Sequence, residues 1–246
     1  MKFFYHTGRY FALLYQVFSR PEKHRVYIRK LFKEIESLGL NSIGIVVIIS
    51  IFMGGIITLQ VAYNLTNPLF PSYLIGLGNR DTLILEFSST IMGLIMAGKI
   101  GSNITSEIGS MRVTEQIDSL QIMGVNPASY LILPKIVAVV FIFPFLFVLS
   151  VFFGLIGGLI VGPAVGAVTP PDYINGIQYL FTPYYVTFSL IKTLVFGFLV
   201  ASVPAYFGYY VKGGAFEVGA ASTKAVVNTN ILILVFDLVL TQLLFT

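Results

Sequence analysis

The sequence predicts an all-α membrane protein with an N-terminal interfacial amphipathic helix, five transmembrane helices and a cytoplasmic helix between the second and third spans. Three observations carry this. The 246 residues are 56% hydrophobic and 11% charged, with a mean hydropathy of +0.87, whereas soluble domains carry about 25% charged residues. Several apolar runs reach the roughly 20 residues needed to cross a hydrocarbon core of about 30 Å. One stretch, 102–127, reads SNITSEIGSMRVTEQIDSLQIMGVNP and concentrates three acids, one arginine, two glutamines and two asparagines in an otherwise oily chain.

In chain order, residues 1–40 come first. Phe4, Phe11, Leu14 and Phe18 share one helical face, and Ile28, Leu31, Phe32, Ile35 and Leu38 form a second, opposite Lys30, Lys33 and Glu34. A basic, aromatic-rich amphipathic stretch suits the membrane interface. It is not expected to be a cleavable signal, because no compact apolar core precedes a small-residue cleavage site. Four spans are plain at 43–63, 136–162, 184–209 and 229–246; a fifth, about 83–104, is apolar apart from Glu86 and Lys99. No repeat, linker or low-complexity tract divides the chain, so 1–246 is expected to form a single domain, with 43–246 as its bundle.

Five spans place the termini on opposite sides. Eight of the fifteen Lys and Arg, Arg20 and Lys23 among them, precede residue 43, and others flank 105–135 and 210–228, whereas the opposite loops hold only Arg80. The bias of cytoplasmic loops toward Lys and Arg puts the N-terminus, 105–135 and 210–228 in the cytoplasm and the C-terminus outside. The net charge of +4 is therefore an orientation signal and gives no reason to expect a nucleic-acid partner. With no cysteine and two histidines, His6 and His24, neither disulfides nor a metal site are expected. The Asn64-Leu65-Thr66 and Asn103-Ile104-Thr105 matches to the glycosylation pattern are read as chance.

GLIMAGKI, residues 93–100, approaches the phosphate-binding pattern G-x-x-x-x-G-K-[ST]. That chemistry needs a strand before the loop and a hydroxyl after the lysine; here Ile100 takes the hydroxyl's place within an apolar helix. No nucleotide site is expected in this chain. The same residues fit a packing role instead: Gly93, Ala97 and Gly101, continuing to Thr105 and Gly109, recur every fourth position, as do Gly154, Gly158 and Gly162. Such stripes let helices approach closely in lipid.

Glu86, Lys192 and Asp237 lie inside spans, where charge is expensive and normally faces protein or a watery cavity. A structural ion pair at Lys192 and a polar lining for a substrate cavity are both open. No nucleophile and base accompany these groups, so no catalytic residue is assigned. Two transport readings remain: a permease worked by a partner, or an ion-coupled secondary carrier or channel using these three residues. A scaffold that anchors a soluble complex is the third. From Glu107 onward the polar stretch reads as one cytoplasmic helix, with Ile117, Leu120, Ile122 and Met123 apolar, ended by Gly124 and Pro127. A rigid, exposed helix tied to two spans suits a soluble partner.

AGKIGSNITSEIGSMRVTEQIDSLQIMGVNP, residues 97–127, resembles the signature AGR-x-GS-x-x-x-AEIG-x-M-x-x-TEQ-x-x-x-x-x-x-M-x-V-x-P of the MlaE (YrbE) permeases of bacterial lipid-transport ABC systems. The likeness extends to IFMGGIITLQ at 51–60, IKTLVFGF at 191–198 and FDLVLTQLLF at 236–245. It implies a homodimer in the bacterial inner membrane that moves phospholipid between the inner and outer membranes. It also implies that 105–127 is a coupling helix seated on a separate ATPase subunit, which binds the ATP and magnesium. A periplasmic MCE-domain protein and a small cytoplasmic accessory protein are further implied partners. By position, Glu107, Arg112, Glu115, Gln116, Met123 and Pro127 fall in the coupling region, Glu86 matches a pocket-side glutamate, and Lys192 and Asp237 match recurring residues. The chain departs where the family has R-E-x-G-P: Leu85, Ser88 and Ser89 replace the arginine and the Gly-Pro, which leaves Lys192 as the candidate partner of Glu86. Lys99 replaces an arginine, keeping the charge without the planar fork.

Overall fold

The computed structural model describes residues 2–19, 24–65 and 70–245; Arg20, Lys23 and Thr66, invoked above, lie outside the described residues. The described chain is helical. Helix α1 is Lys2–Ser19. Five helices follow that are long and apolar enough to cross a membrane: α2 (Tyr27–Asn64), α3 (Tyr73–Val113), α5 (Pro127–Ala164), α7 (Pro183–Tyr209) and α8 (Ala215–Leu244). Short helices α4 (Gln116–Ile122) and α6 (Pro170–Gln178) lie in the connections.

Each long helix extends beyond the apolar run that announces it. Helix formation needs only backbone bonds and tolerable side chains, so polar ends continue a helix that hydropathy alone cuts short. One such difference is in 210–228, expected to lie between spans in the cytoplasm. Helix α8 already starts at Ala215, and the connection shrinks to the turn around Gly213, whose φ of +115° favours glycine. Val218 and Ala225 are buried, and the Ser222 hydroxyl donates to the Ser102 carbonyl at 3.4 Å. Two stretches of α3, Leu83–Ile91 and Ala97–Gly101, are wound as π-helix, as is Ile35–Gly39 in α2.

The chain divides into two compact bodies. The first draws on Met1–Asn41, Gly93–Phe143 and Leu194–Thr246. Here the small-residue face of α3 meets α7 and α8. A Cβ on Gly93 would touch Phe196 and Ile233, one on Gly101 would press on Pro204, and one on Gly109 would press on Val218; Ala97 is buried. Thr105 Oγ1 donates to the Pro204 carbonyl at 3.0 Å, stitching the α3 stripe to the proline inside α7. On α1, Leu13 and Val17 are buried while Phe4, Phe11, Tyr15 and Phe18 are exposed; Leu14 sits at intermediate depth.

The second body is Ser42–Met92 with Pro144–Thr193. Its helices α2 and α5 cross backbone to backbone: a Cβ on Gly54 would collide with the Gly154 carbonyl, and one on Gly157 with the Ile51 carbonyl. Gly158 admits the Tyr173 hydroxyl, Asn79 and Thr58, and Gly162 lies against Val168. Hydroxyls line the same crossing, with Ser50 Oγ donating to Ser150 at 2.9 Å and Ser150 to Ser88 at 3.0 Å. Helix α6 is started by Thr169, whose Oγ1 accepts from the Asp172 amide at 3.3 Å, and by Pro170 in the first turn. Arg80 holds its far end, donating from Nη1 to the Ile177 and Tyr179 carbonyls at 2.8 and 2.7 Å.

Candidate functional site

The π-wound stretch Leu83–Ile91 shapes the ion pair between Glu86 and Lys192 in the second body. A π-turn displaces carbonyls from the ordinary i→i−4 ladder and often marks a functional site. Two of these carbonyls are met by side chains of α7: Ser189 Oγ donates to Ile84 O at 2.7 Å, and Lys192 Nζ to Leu85 O at 3.3 Å. Lys192 Nζ also lies 3.2 Å from Glu86 Oε1 and 4.6 Å from the centre of the Phe188 ring. The Lys192 side chain is 0% exposed, whereas that of Glu86 is 48% exposed. The ammonium is thus sunk among helices and its counter-ion leads outward. Thr90 Oγ1 donates to Glu86 Oε2 at 3.3 Å, which fixes the second carboxylate oxygen. Where the resembled signature places an arginine beside the glutamate, this chain supplies charge from Lys192, 106 residues away in sequence.

Asp237 belongs to α8 in the first body and is at intermediate depth. On this helix Ile231, Leu234, Val235 and Leu238 are exposed.

The polar stretch is two helices where the sequence led us to expect one. Helix α3 continues to Val113 and the chain breaks at Thr114 and Glu115, the latter at a left-handed φ of +60°. Thr114 closes the first helix, its hydroxyl donating to Ser110 O at 2.9 Å. Arg112 then spans the break, with Nη1 2.6 Å from Asp118 Oδ1. Helix α4 buries Ile117 and leaves Ile122 87% exposed and Met123 exposed beside it. Gln116 Nε2 donates to Thr114 Oγ1 at 3.0 Å. Pro127 is the first residue of α5, a position that needs no amide donor; it therefore opens a helix as well as closing the turn. Met123 and Gly124, with φ +77°, make that turn.

Sequence reading missed Lys135, counted above only as an orientation charge. Its side chain is 2% exposed and donates to Glu34 at 2.8 Å and to Glu107 Oε2 at 2.7 Å. Glu107, expected in the coupling region, is thereby tied to α5 and to the start of α2. The available signal was Lys135 itself, alone in the apolar run LILPKIVAVV.

A permease family model described as Permease MlaE matches residues 31–243. The chain belongs to the MlaE permease family. It is 31% identical over 245 residues to a probable ABC transporter permease protein of Rickettsia prowazekii, covering 100% of this chain and 94% of the relative. A probable ABC transporter permease protein of Synechocystis is 32% identical over 240 residues, covering 96% and 89%. The intermembrane phospholipid transport system permease protein of Haemophilus influenzae is 28% identical over 244 residues, covering 99% and 93%. These matches span the π-wound ion pair, the α3–α4 break and the Lys135 triad alike. This MlaE-family chain is accordingly an ABC-type membrane permease, a class of subunit that does not itself carry the catalytic site.

Proposed function

We propose that this chain is the permease subunit of a phospholipid transporter working between the inner and outer membranes, driven by a separate ATPase. The observation that carries the reading is the pairing of a wholly buried lysine with a half-exposed carboxylate, Lys192 with Glu86. Intramembrane charge of this kind marks a substrate path by default. A carboxylate whose charge is only partly spent inside can meet the polar end of a lipid, while exposed aromatic and aliphatic side chains suit its tails. The Haemophilus relative is named for phospholipid transport, which supports the same substrate class.

The α3–α4 break supports coupling. A helix pair clamped by Arg112 and Asp118, with Ile122 and Met123 presented outward, offers a stiff apolar tip to a cytoplasmic ATPase, which would bind ATP and magnesium. In this reading Arg112, Glu115 and Gln116 hold the shape of the tip, Met123 and Pro127 its exit, and Glu107 its tie to the bundle. The subunit works as a homodimer in the bacterial inner membrane, N-terminus cytoplasmic and C-terminus periplasmic, with an MCE-domain protein on the periplasmic side. In support of the dimer, only 11% of the apolar stretch of α8 is buried by the rest of the chain, the least of the five spans; Asp237 sits on that helix.

The test is purification in mild detergent with identification of co-eluting proteins and extracted lipids. An ATPase and phospholipid are expected. A chain that carries neither, yet passes ions or solute when reconstituted alone, overturns the reading in favour of a secondary carrier.

A further inference from the structure

The first body holds a cavity of about 370 Å³ between α1, the end of α7 and the start of α8. Its lining includes three cations, Arg9, Lys212 and Lys224, and one acid, Glu217. The acid is engaged by the backbone: Glu217 Oε2 accepts from the Gly214 amide at 2.8 Å and so caps the start of α8. Among the described residues, no carboxylate forms an ion pair with Arg9, Lys212 or Lys224. Three unpaired positive charges therefore converge on one concave surface, and both lysines are exposed enough to move.

The wall behind them is aromatic and ordered. The Arg9 guanidinium stacks on the Tyr210 ring at 3.7 Å, which fixes its plane while leaving N–H groups at its edge. Tyr206, 6% exposed, exchanges a hydrogen bond with His6 Nδ1 at 2.7 Å. One turn further along α1, Tyr10 bonds Ser202 at 2.8 Å and its burial raises its pKa above the usual phenol value, so it stays neutral and adds no negative charge. The opposite face of α1 exposes Phe4, Phe11, Tyr15 and Phe18 in one stripe, a surface that suits the boundary between headgroups and acyl chains.

We propose that this cavity binds the phosphate of an anionic lipid headgroup, a site separate from the Glu86–Lys192 pair and one that seats α1 on an anionic leaflet. Basic pockets between membrane helices have this chemistry. An arginine stacked on an aromatic ring presents planar donors to phosphate, and flexible lysines complete the charge. A free phosphate ion shares the recognition chemistry but would gain nothing from the apolar stripe beside the pocket. The assignment rests on the interfacial reading of residues 1–40.

A site-specific probe separates the two. The chain has no cysteine, and a Cβ at Gly219 meets nothing within 4 Å, so Gly219→Cys in the full chain accepts a polarity-sensitive fluorophore beside the pocket without disturbing packing. The purified protein is titrated at constant ionic strength with dioctanoyl phosphatidylglycerol, dioctanoyl phosphatidylcholine and inorganic phosphate. A saturable response to phosphatidylglycerol is expected, at least about tenfold tighter than to either comparison. In Lys212→Gln/Lys224→Gln its affinity falls about 25-fold, roughly fivefold per charge. Both lysines are exposed, so the fold is not at stake, and Lys212→Glu alone provides a second variant with a loss of at least about fivefold. Equal binding of phosphatidylcholine, an equal response to phosphate alone, or unchanged affinity in the variants would each overturn the proposal.

Discussion

Among the described residues each body of the molecule buries one lysine, and the two have different surroundings. Lys135 faces two carboxylates at 2.7 and 2.8 Å, from two helices that precede it in the chain, Glu107 of α3 and Glu34 of α2. Lys192 lies 3.2 Å from the Glu86 carboxylate and also meets a backbone carbonyl and an aromatic ring. The first site has short contacts to two carboxylates, with Lys30 near enough to feel both of them and Lys135, the pattern of a clamp that joins three helices. The second has a longer carboxylate contact, 3.2 Å, and Glu86 is half exposed. Burial of the lysine does not separate the two sites, and neither does the exposure of one counter-ion, since Glu107 and Glu86 are both 48% exposed; what marks the Lys135 site is Glu34, a carboxylate only 17% exposed.

The difference can be broken at the clamp first. Lys135→Met leaves two acids facing each other without their cation, and removing one partner of a buried ion pair costs about 3–5 kcal/mol. Denaturation in detergent should show a loss of that order, with poor recovery of folded protein. Lys192→Met should cost less, about 1–2 kcal/mol, because Glu86 can turn to solvent; equal losses at the two lysines would erase the contrast. Glu86→Gln sharpens the comparison from the other side. Its expected stability change is about 1–2 kcal/mol, since the buried Lys192 keeps an amide oxygen as acceptor but loses a counter-charge, while crosslinking of lipid to the protein should drop. Unchanged crosslinking would make the pair merely structural. The smallest effect on stability is expected at the break between α3 and α4. At a left-handed φ, Glu115→Gly trades relief of strain against chain entropy and should stay within about 0.5 kcal/mol. Under the proposed coupling, stimulation of a separate ATPase subunit should nevertheless fall; normal stimulation would remove Glu115 from the coupling path.

Much of the fold was legible because its signals are local. Runs of apolar residues mark spans wherever they occur, and the polar tract at 102–127 stands out against them. Helix limits were less legible, since α8 begins at Ala215 through residues such as Glu217 and Lys224 that hydropathy scores as loop. The break at Thr114–Glu115 was invisible because neither residue is a habitual left-handed one; side-chain bonds from Thr114 and Arg112 fix it. The cavity beneath α1 could not be read either, as Arg9 and Lys224 become neighbours only when α1 packs on α7 and α8.

What the sequence determined by itself is the class of molecule: an oily helical chain with its cations gathered at one end and acids placed inside its spans. The tertiary structure alone decided which charge answers which. Hydropathy is a property each residue carries with it, but an ion pair depends on distance in space, and Lys135 meets Glu34 across 101 positions and Lys192 meets Glu86 across 106. No local pattern encodes such a meeting; only the packing of whole helices does.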